Sequence, residues 1–255
     1  MFCSFRYIFV ALLLAAAWFI FSGPGYAGMT PEQIIQRVED NLNGKTAIMK
    51  ISMAVKTKRT QRTMKMESYS VGTKKSFIRI DYPKKDKGIT FLKVDNQMWQ
   101  YVPRIEKIIK IPASMMMQSW MGSDFTNDDL VKESSITDDY YKKIITDDAD
   151  AITVELLPKE EAAVVWGRIN MTVSKELFLP TKVDYFDEDG VLVRILHYEA
   201  VKKFGTRNYP SRWRVVPMTD DKKGHQTIIE VEDVIFDTEI KESYFTKRAL
   251  KRFSR

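Results

Sequence analysis

Met49, Ile51, Met53 and Val55 alternate with Lys50, Ser52, Ala54 and Lys56. A period of two puts the apolar set on one face of an extended strand and leaves the other face wet. The same pattern returns at Thr60–Val71, Lys75–Tyr82, Ile89–Val94, Gln97–Val102 and Arg104–Ile111. It returns again at Tyr141–Thr146, Ala151–Leu157, Arg168–Ser174, Pro180–Phe186, Val191–Phe204, Ser211–Met218 and Gln226–Phe236. The connections are short and turn-like, as at Val71-Gly72-Thr73, Asp95-Asn96 and Glu188-Asp189-Gly190. Strands joined this way are antiparallel neighbours. About a dozen such strands must curl to bury one face. Helices packed in the concavity would cover it; a closed barrel and a two-sheet sandwich are the alternatives.

A few helices are written into the same sequence. Thr30 caps a helix that starts at Pro31, with Gln33 placed to complete a capping box. Ile34, Ile35, Val38 and Leu42 fall on one face, and Asn43-Gly44 ends it. The stretch from Pro112 to Lys132 has no period of two. It predicts a short helix over Ala113–Trp120, a turn at Gly122 and a second short helix capped by Thr126. Glu160–Trp166 is open between a helical turn and a loop, and Ser243–Lys251 closes the chain as a helix or turn.

Residues 1–27 have the layout of a secretory signal peptide. Arg6 precedes an apolar run, Tyr7–Phe21, which Ser22-Gly23-Pro24 interrupts. Gly25-Tyr26-Ala27 then supplies small residues at −3 and −1 of a cleavage site. The run is shorter than the ~18–20 apolar residues of a spanning helix. Cleavage after Ala27 would leave residues 28–255 as one domain, soluble outside the cytoplasm, without stable membrane insertion. That compartment disfavours functions that need ATP, NAD or nucleic acid. The single cysteine, Cys3, precedes the apolar run, so it cannot serve as a lipoprotein acceptor. Without disulfides the domain must be held by its core. The formal net charge of +6 is mild for 255 residues, with both signs interspersed.

Catalysis finds little support. The two histidines, His197 and His225, lie inside alternating runs, and no nucleophile elbow, zinc-binding helix or P-loop occurs. Asp124, Asp128 and Asp129 lack the spacing of a calcium loop, and the latter two suit a helix N-terminus. Ser123 reads as a turn or cap residue. No catalytic residue, metal site or cofactor is expected. What stands out is methionine. Met49, Met53, Met64 and Met66 lie in the first two strands, and Met115, Met116 and Met117 precede Trp120-Met121. Met fills irregular apolar space and adapts to variable ligands, so these residues suit either a core or a cavity wall.

The stretch Asn96-Gln97-Met98-Trp99-Gln100-Tyr101-Val102-Pro103, followed by Ser119-Trp120-Met121-Gly122-Ser123-Asp124-Phe125-Thr126-Asn127-Asp128-Asp129-Leu130, resembles the outer-membrane lipoprotein-sorting (LolA-like) family. Phe178-Leu179-Pro180 and the closing Glu242-Ser243-Tyr244-Phe245-Thr246 extend the likeness over most of residues 28–255. The resemblance implies a mainly β fold: a strongly curved antiparallel sheet, an incomplete barrel, with helices around an apolar cavity. It implies a non-enzymatic periplasmic carrier that shields acyl chains of a lipoprotein or lipid. An inner-membrane exporter and an outer-membrane acceptor would be its partners. A lipid-binding sensor on the same fold and an envelope lipid hydrolase are the competing readings. On the carrier reading, Met49, Met53, Met64 and Met66 line the cavity, with Trp99 and Tyr101 on its wall. Met115, Met116, Met117, Trp120 and Phe125 would form a lid over its mouth, hinged at Gly122. The rival is a fixed plug that merely completes the core.

Overall fold

The first helix, α1 (Pro31–Asn43), is set by its caps. Thr30 Oγ1 accepts from the Gln33 amide, Gln33 returns a bond to the Thr30 amide, and Gly44 takes a positive φ at the C-terminus. This computed structural model describes residues 28–132, 136–162 and 164–254. The expected leader, residues 1–27, lies outside them.

Beyond α1 the alternating runs form one antiparallel sheet of 13 strands. β1 (Thr46–Lys56), β2 (Gln61–Val71), β3 (Lys75–Tyr82), β4 (Thr90–Val94), β5 (Gln97–Val102) and β6 (Lys107–Lys110) are one meander. β7 (Tyr140–Asp147), β8 (Ala151–Pro158), β9 (Arg168–Ser174), β10 (Pro180–Phe186), β11 (Leu192–Phe204), β12 (Arg207–Pro217) and β13 (Gln226–Phe236) are a second. The two join where β1 pairs with β13, Ala47 opposite Phe236. β6 and β7 are the outer edges, and the sheet is not closed. It is the incomplete barrel, not the sandwich or the closed barrel.

The chain between those edges holds two single helical turns, Ala113–Met115 and Trp120–Gly122. Two short helices follow, α2 (Asn127–Lys132) and α3 (Ile136–Asp139). The expected helix over Ala113–Trp120 is therefore only a turn at each end. Ser119 is extended, with ψ of 121°, and bridges to Thr126, so the helix breaks before Trp120; Met121 and Gly122 then take positive φ in the turn expected there. Thr126 does cap α2, accepting from the Asp129 amide at 3.1 Å. Arg104 leaves the predicted β6 because Pro103 opens a helical turn over Pro103–Ile105.

Two apolar clusters fill the inner face. One holds Ile51, Met53, Val55, Met64, Met66, Ile80, Phe91 and Met98. The other packs Ile34, Ile35 and Val38 of α1 onto β7–β12 residues such as Ile152, Val154 and Val215. A third cluster lies on the opposite face. There Phe77, Leu92, Trp99 and Tyr101 are covered by Phe245, Ala249 and Leu250. The cover is a turn at Glu242–Phe245 and the helix α4 (Lys247–Arg252). The closing helix thus departs from the expected arrangement with every helix in the concavity. Tyr69, Phe77, Leu92 and Trp99 alternate with inward residues and need their own cover.

Candidate functional site

Alternation along β1 and β2 aims Met49, Ile51 and Met66 into the concavity, and β11–β13 contribute Arg194, Leu196, Tyr198, Trp213 and Ile229. Between these walls and the segment that spans the open edge lie two abutting chambers. The first has a volume of about 120 Å³ and is bounded by Phe125, Leu130, Ile136, Tyr140, Trp166, Tyr185 and Arg194. The second, about 170 Å³, is bounded by Leu42, Met49, Ile51, Met66, Ile78 and Tyr209. Trp120, Leu130, Tyr198, Trp213 and Ile229 line both and so form the partition. Trp120 is held edge-on against Phe91, with ring centres 5.4 Å apart.

The methionines divide by position. Met49 and Met66 line the second chamber. Met53 and Met64 are cross-strand partners with no exposed surface, packed in the core beside it. Met116 packs against the same core and, with Met117, lines an outer groove of about 560 Å³ along Gln97 and Lys110–Ala113. Met115 and Met117 reach solvent, so the triple Met does not point inward as a unit. Trp99 and Tyr101 do not line either chamber. They sit on the opposite face under α4, where the Lys247 ammonium stands 4.8 Å from the Trp99 ring. Their parity is that of Leu92, across from which Trp99 pairs, whereas Phe91 and Met98 face inward.

The segment carrying Trp120 and Phe125 is bonded to the walls on several sides. The Arg62 guanidinium donates to the Met121 carbonyl. Thr227 on β13 donates to the Asp124 carboxylate at 2.8 Å and accepts from the Asp124 amide at 2.9 Å. Ser123 is buried and donates to the Trp120 carbonyl, the turn role read from the sequence. The Asn127 side chain donates to the Met115 carbonyl at 2.9 Å, and the Asp128 amide to the Met116 carbonyl. Gly122, the expected hinge, has φ of +71°, and a Cβ there would stand 3.6 Å from Arg62.

Arg194 was not anticipated. It is buried on the inward face of β11 and makes two hydrogen bonds to Asp129 of α2, at 2.6 and 2.7 Å. Its guanidinium carbon lies 4.2 Å from the Tyr185 ring centre and 4.7 Å from that of Trp166. Burial alone would lower its pKa, but the Asp129 carboxylate outweighs that and holds it above the ordinary value. Burial pushes the nearby Tyr140 phenol up, so it stays neutral. Aromatic residues Tyr198, Tyr209 and Trp213, also unforeseen, form a contiguous wall with ring centres 5.7 and 6.2 Å apart. Among the described residues no cluster of His, Cys, Asp and Glu could hold a metal ion. Among them also, no helix is long and apolar enough to cross a membrane.

Comparison with known proteins adds the following. A sequence-family model described as "Uncharacterized protein" matches residues 72–252. No curated protein matches the sequence. Among solved structures, a DUF1329 family protein from Desulfovibrio piger superposes with a TM-score of 0.78 at 22% identity, over 86% of this chain and 97% of that one. An outer membrane lipoprotein-sorting protein domain from Vibrio parahaemolyticus gives 0.75 at 22% identity, over 87% and 98%. A LolA superfamily protein from Nitrosomonas europaea gives 0.73 at 16% identity, over 87% and 99%. At these identities the shared property is the fold.

Proposed function

The chain belongs to the uncharacterized-protein family matched over residues 72–252 and has a LolA-like fold, and from that premise we propose that it is a non-enzymatic carrier of acyl chains in the periplasm. The observation that carries this reading is the pair of abutting apolar chambers between the unclosed sheet and the segment across its open edge. Each CH₂ taken out of water is worth roughly 0.8 kcal/mol, so a molecule that moves lipid through water must supply such a lining. Met49 and Met66, with the aromatic wall, give a surface that can repack around chains of different shape.

In this reading residues 1–27 are an export leader, and residues 28–255 work as one domain. Cargo is a lipoprotein anchor or a free lipid, received from an inner-membrane exporter and passed to an outer-membrane acceptor. Trp120 and Phe125 touch the acyl chain. The segment Met115–Phe125 is the cover that must yield, about Gly122, when chains pass.

The test is organic extraction of the protein purified from the periplasm, followed by mass spectrometry, with titration of a fluorescent apolar dye. We expect stoichiometric acyl lipid and saturable dye binding. Filling the partition with Ile229→Trp should abolish the binding. Lipid-free protein that binds no dye would remove the carrier reading. Turnover of added lipid would favour the hydrolase instead.

A further inference from the structure

Cations scattered through the sequence meet at one end of the first meander. Alternate turns of an antiparallel meander emerge at the same end of the sheet. Residues 83–89, between β3 and β4, therefore lie beside the turn Pro103–Ile105, between β5 and β6. The end of α4 joins them. Thr90 Oγ1 donates to the Leu250 carbonyl at 2.8 Å, and Gly88 lies so close to the Pro103 ring and the Ser254 carbonyl that a Cβ would clash with that oxygen. Lys84, Lys85 and Lys87 come from the first connection, Arg104 from the second, and Lys251 and Arg252 from α4. All six are exposed. Among the described residues none of the six is in an ion pair. Acids are few in these segments: Asp81 is bound to Arg79 at 2.8 Å, Asp86 is half-buried, and Glu106 is exposed. Two large apolar side chains stand in the open at the same end, Tyr82 at 53% exposure and Ile105 at 54%.

Like charges gathered in this way repel one another and attract an anionic surface. Two occupants have the required charge, an acidic protein and an anionic bilayer. The exposed apolar pair decides between them. A bilayer surface presents phosphate charge and hydrocarbon within one thin layer, and aromatic and aliphatic side chains flanked by Lys and Arg suit it. We propose that this end of the sheet is a peripheral docking face for an anionic phospholipid bilayer. The six cations meet headgroup phosphates, while Tyr82 and Ile105 enter the interface. Two side chains bury too little apolar area to anchor the protein permanently, so the contact is reversible. Such docking needs no cargo and holds whether or not the chambers carry lipid.

The test is co-sedimentation of the purified protein, at low salt, with two kinds of vesicle: phosphatidylcholine alone, and phosphatidylcholine with about one-third phosphatidylglycerol. Native protein should pellet with the anionic vesicles and stay in solution with the neutral ones. Each cation near an anionic surface strengthens binding about fivefold, so Lys84→Gln, Lys85→Gln and Lys87→Gln together should weaken it roughly a hundredfold. Lys202→Gln, Lys203→Gln and Lys223→Gln remove the same charge from exposed positions on the second meander and should leave binding within about threefold of native. Ile105→Ser should weaken binding severalfold with an unchanged melting temperature. Raising KCl to about 0.5 M screens the contact and should release native protein, a readout that needs no variant. Equal losses in the two triple variants would overturn the assignment, since net charge alone would then account for binding. So would native protein that ignores anionic vesicles, or that binds neutral and anionic vesicles alike. Native protein that ignores vesicles yet binds polyglutamate would replace the bilayer with an acidic protein partner. None of these outcomes touches the carrier reading.

Discussion

Arg194 and Asp129 are joined by two parallel hydrogen bonds, at 2.6 and 2.7 Å, which tie β11 to α2 across the first chamber. Both side chains are largely withdrawn from water, at 6% and 12% exposure. Removing one partner strands the other charge. Asp129→Asn should therefore cost about 3–5 kcal/mol in urea unfolding. The double variant Arg194→Met, Asp129→Leu should recover most of that loss, because a buried pair contributes little net stability over well-packed apolar groups. A double variant as unstable as the single one would mean that the pair itself holds the fold together.

The methionines should separate by assay. Met53→Ala and Met64→Ala remove core volume, and each should lower stability by about 2–5 kcal/mol. Met49→Ala, at a half-buried chamber wall, should cost less stability and weaken dye binding more. Thermal melts and dye titrations on the same three proteins would reverse that order if Met49 were ordinary core.

Within the segment across the open edge, the outer and inner residues should behave differently. Met117 is 51% exposed, so Met117→Ala should change stability by no more than about 0.5 kcal/mol. Trp120→Ala should cost about 3–5 kcal/mol, since it empties the partition. Equal, large losses at both positions would mark the whole segment as plug.

Asp237 provides a pH-dependent contact. It accepts from the Lys45 amide at 2.8 Å and from Arg207 at 2.5 Å, and these bonds, the amide's first, hold its pKa below the ordinary 3.8. The unfolded chain therefore takes up this proton first as pH falls. The contribution is present above pH ~4 and is lost as pH drops through the folded value. For so exposed a pair it is worth up to about 1 kcal/mol. Denaturation of native and Asp237→Asn protein should differ at pH 7 and converge near pH 2.

Most of the strand pattern was legible because one face of most strands is wet, as Lys50 and Lys56 are beside Met49–Val55. The β4–β5 hairpin misled for the opposite reason. Phe91 and Met98 are buried on one face and Leu92 and Trp99 on the other, so no alternation says which is the cavity. α4 decides it, and a helix from the far end of the chain leaves no mark on the local pattern. Arg194 was hidden likewise. In Val191-Leu192-Val193-Arg194-Ile195-Leu196 both parities are apolar, and a lone Arg reads as the outward one. Only its pairing with Asp129, on a separate helix, makes an inward Arg tenable.

The exchange of helices between the two meanders bears on how the molecule assembles. α1 leads the first meander yet covers strands of the second, while α4 ends the second and covers strands of the first. Neither meander can shield its own apolar face, so each is the other's folding partner. The hairpins within a meander join residues close in sequence and can form early. The β1–β13 ladder and both helix clasps must wait for the ends of the chain to meet. A nick in the stretch that spans the open edge would cut none of those clasps. The two pieces should therefore behave as complementary fragments, each unfolded alone and folding only upon the other.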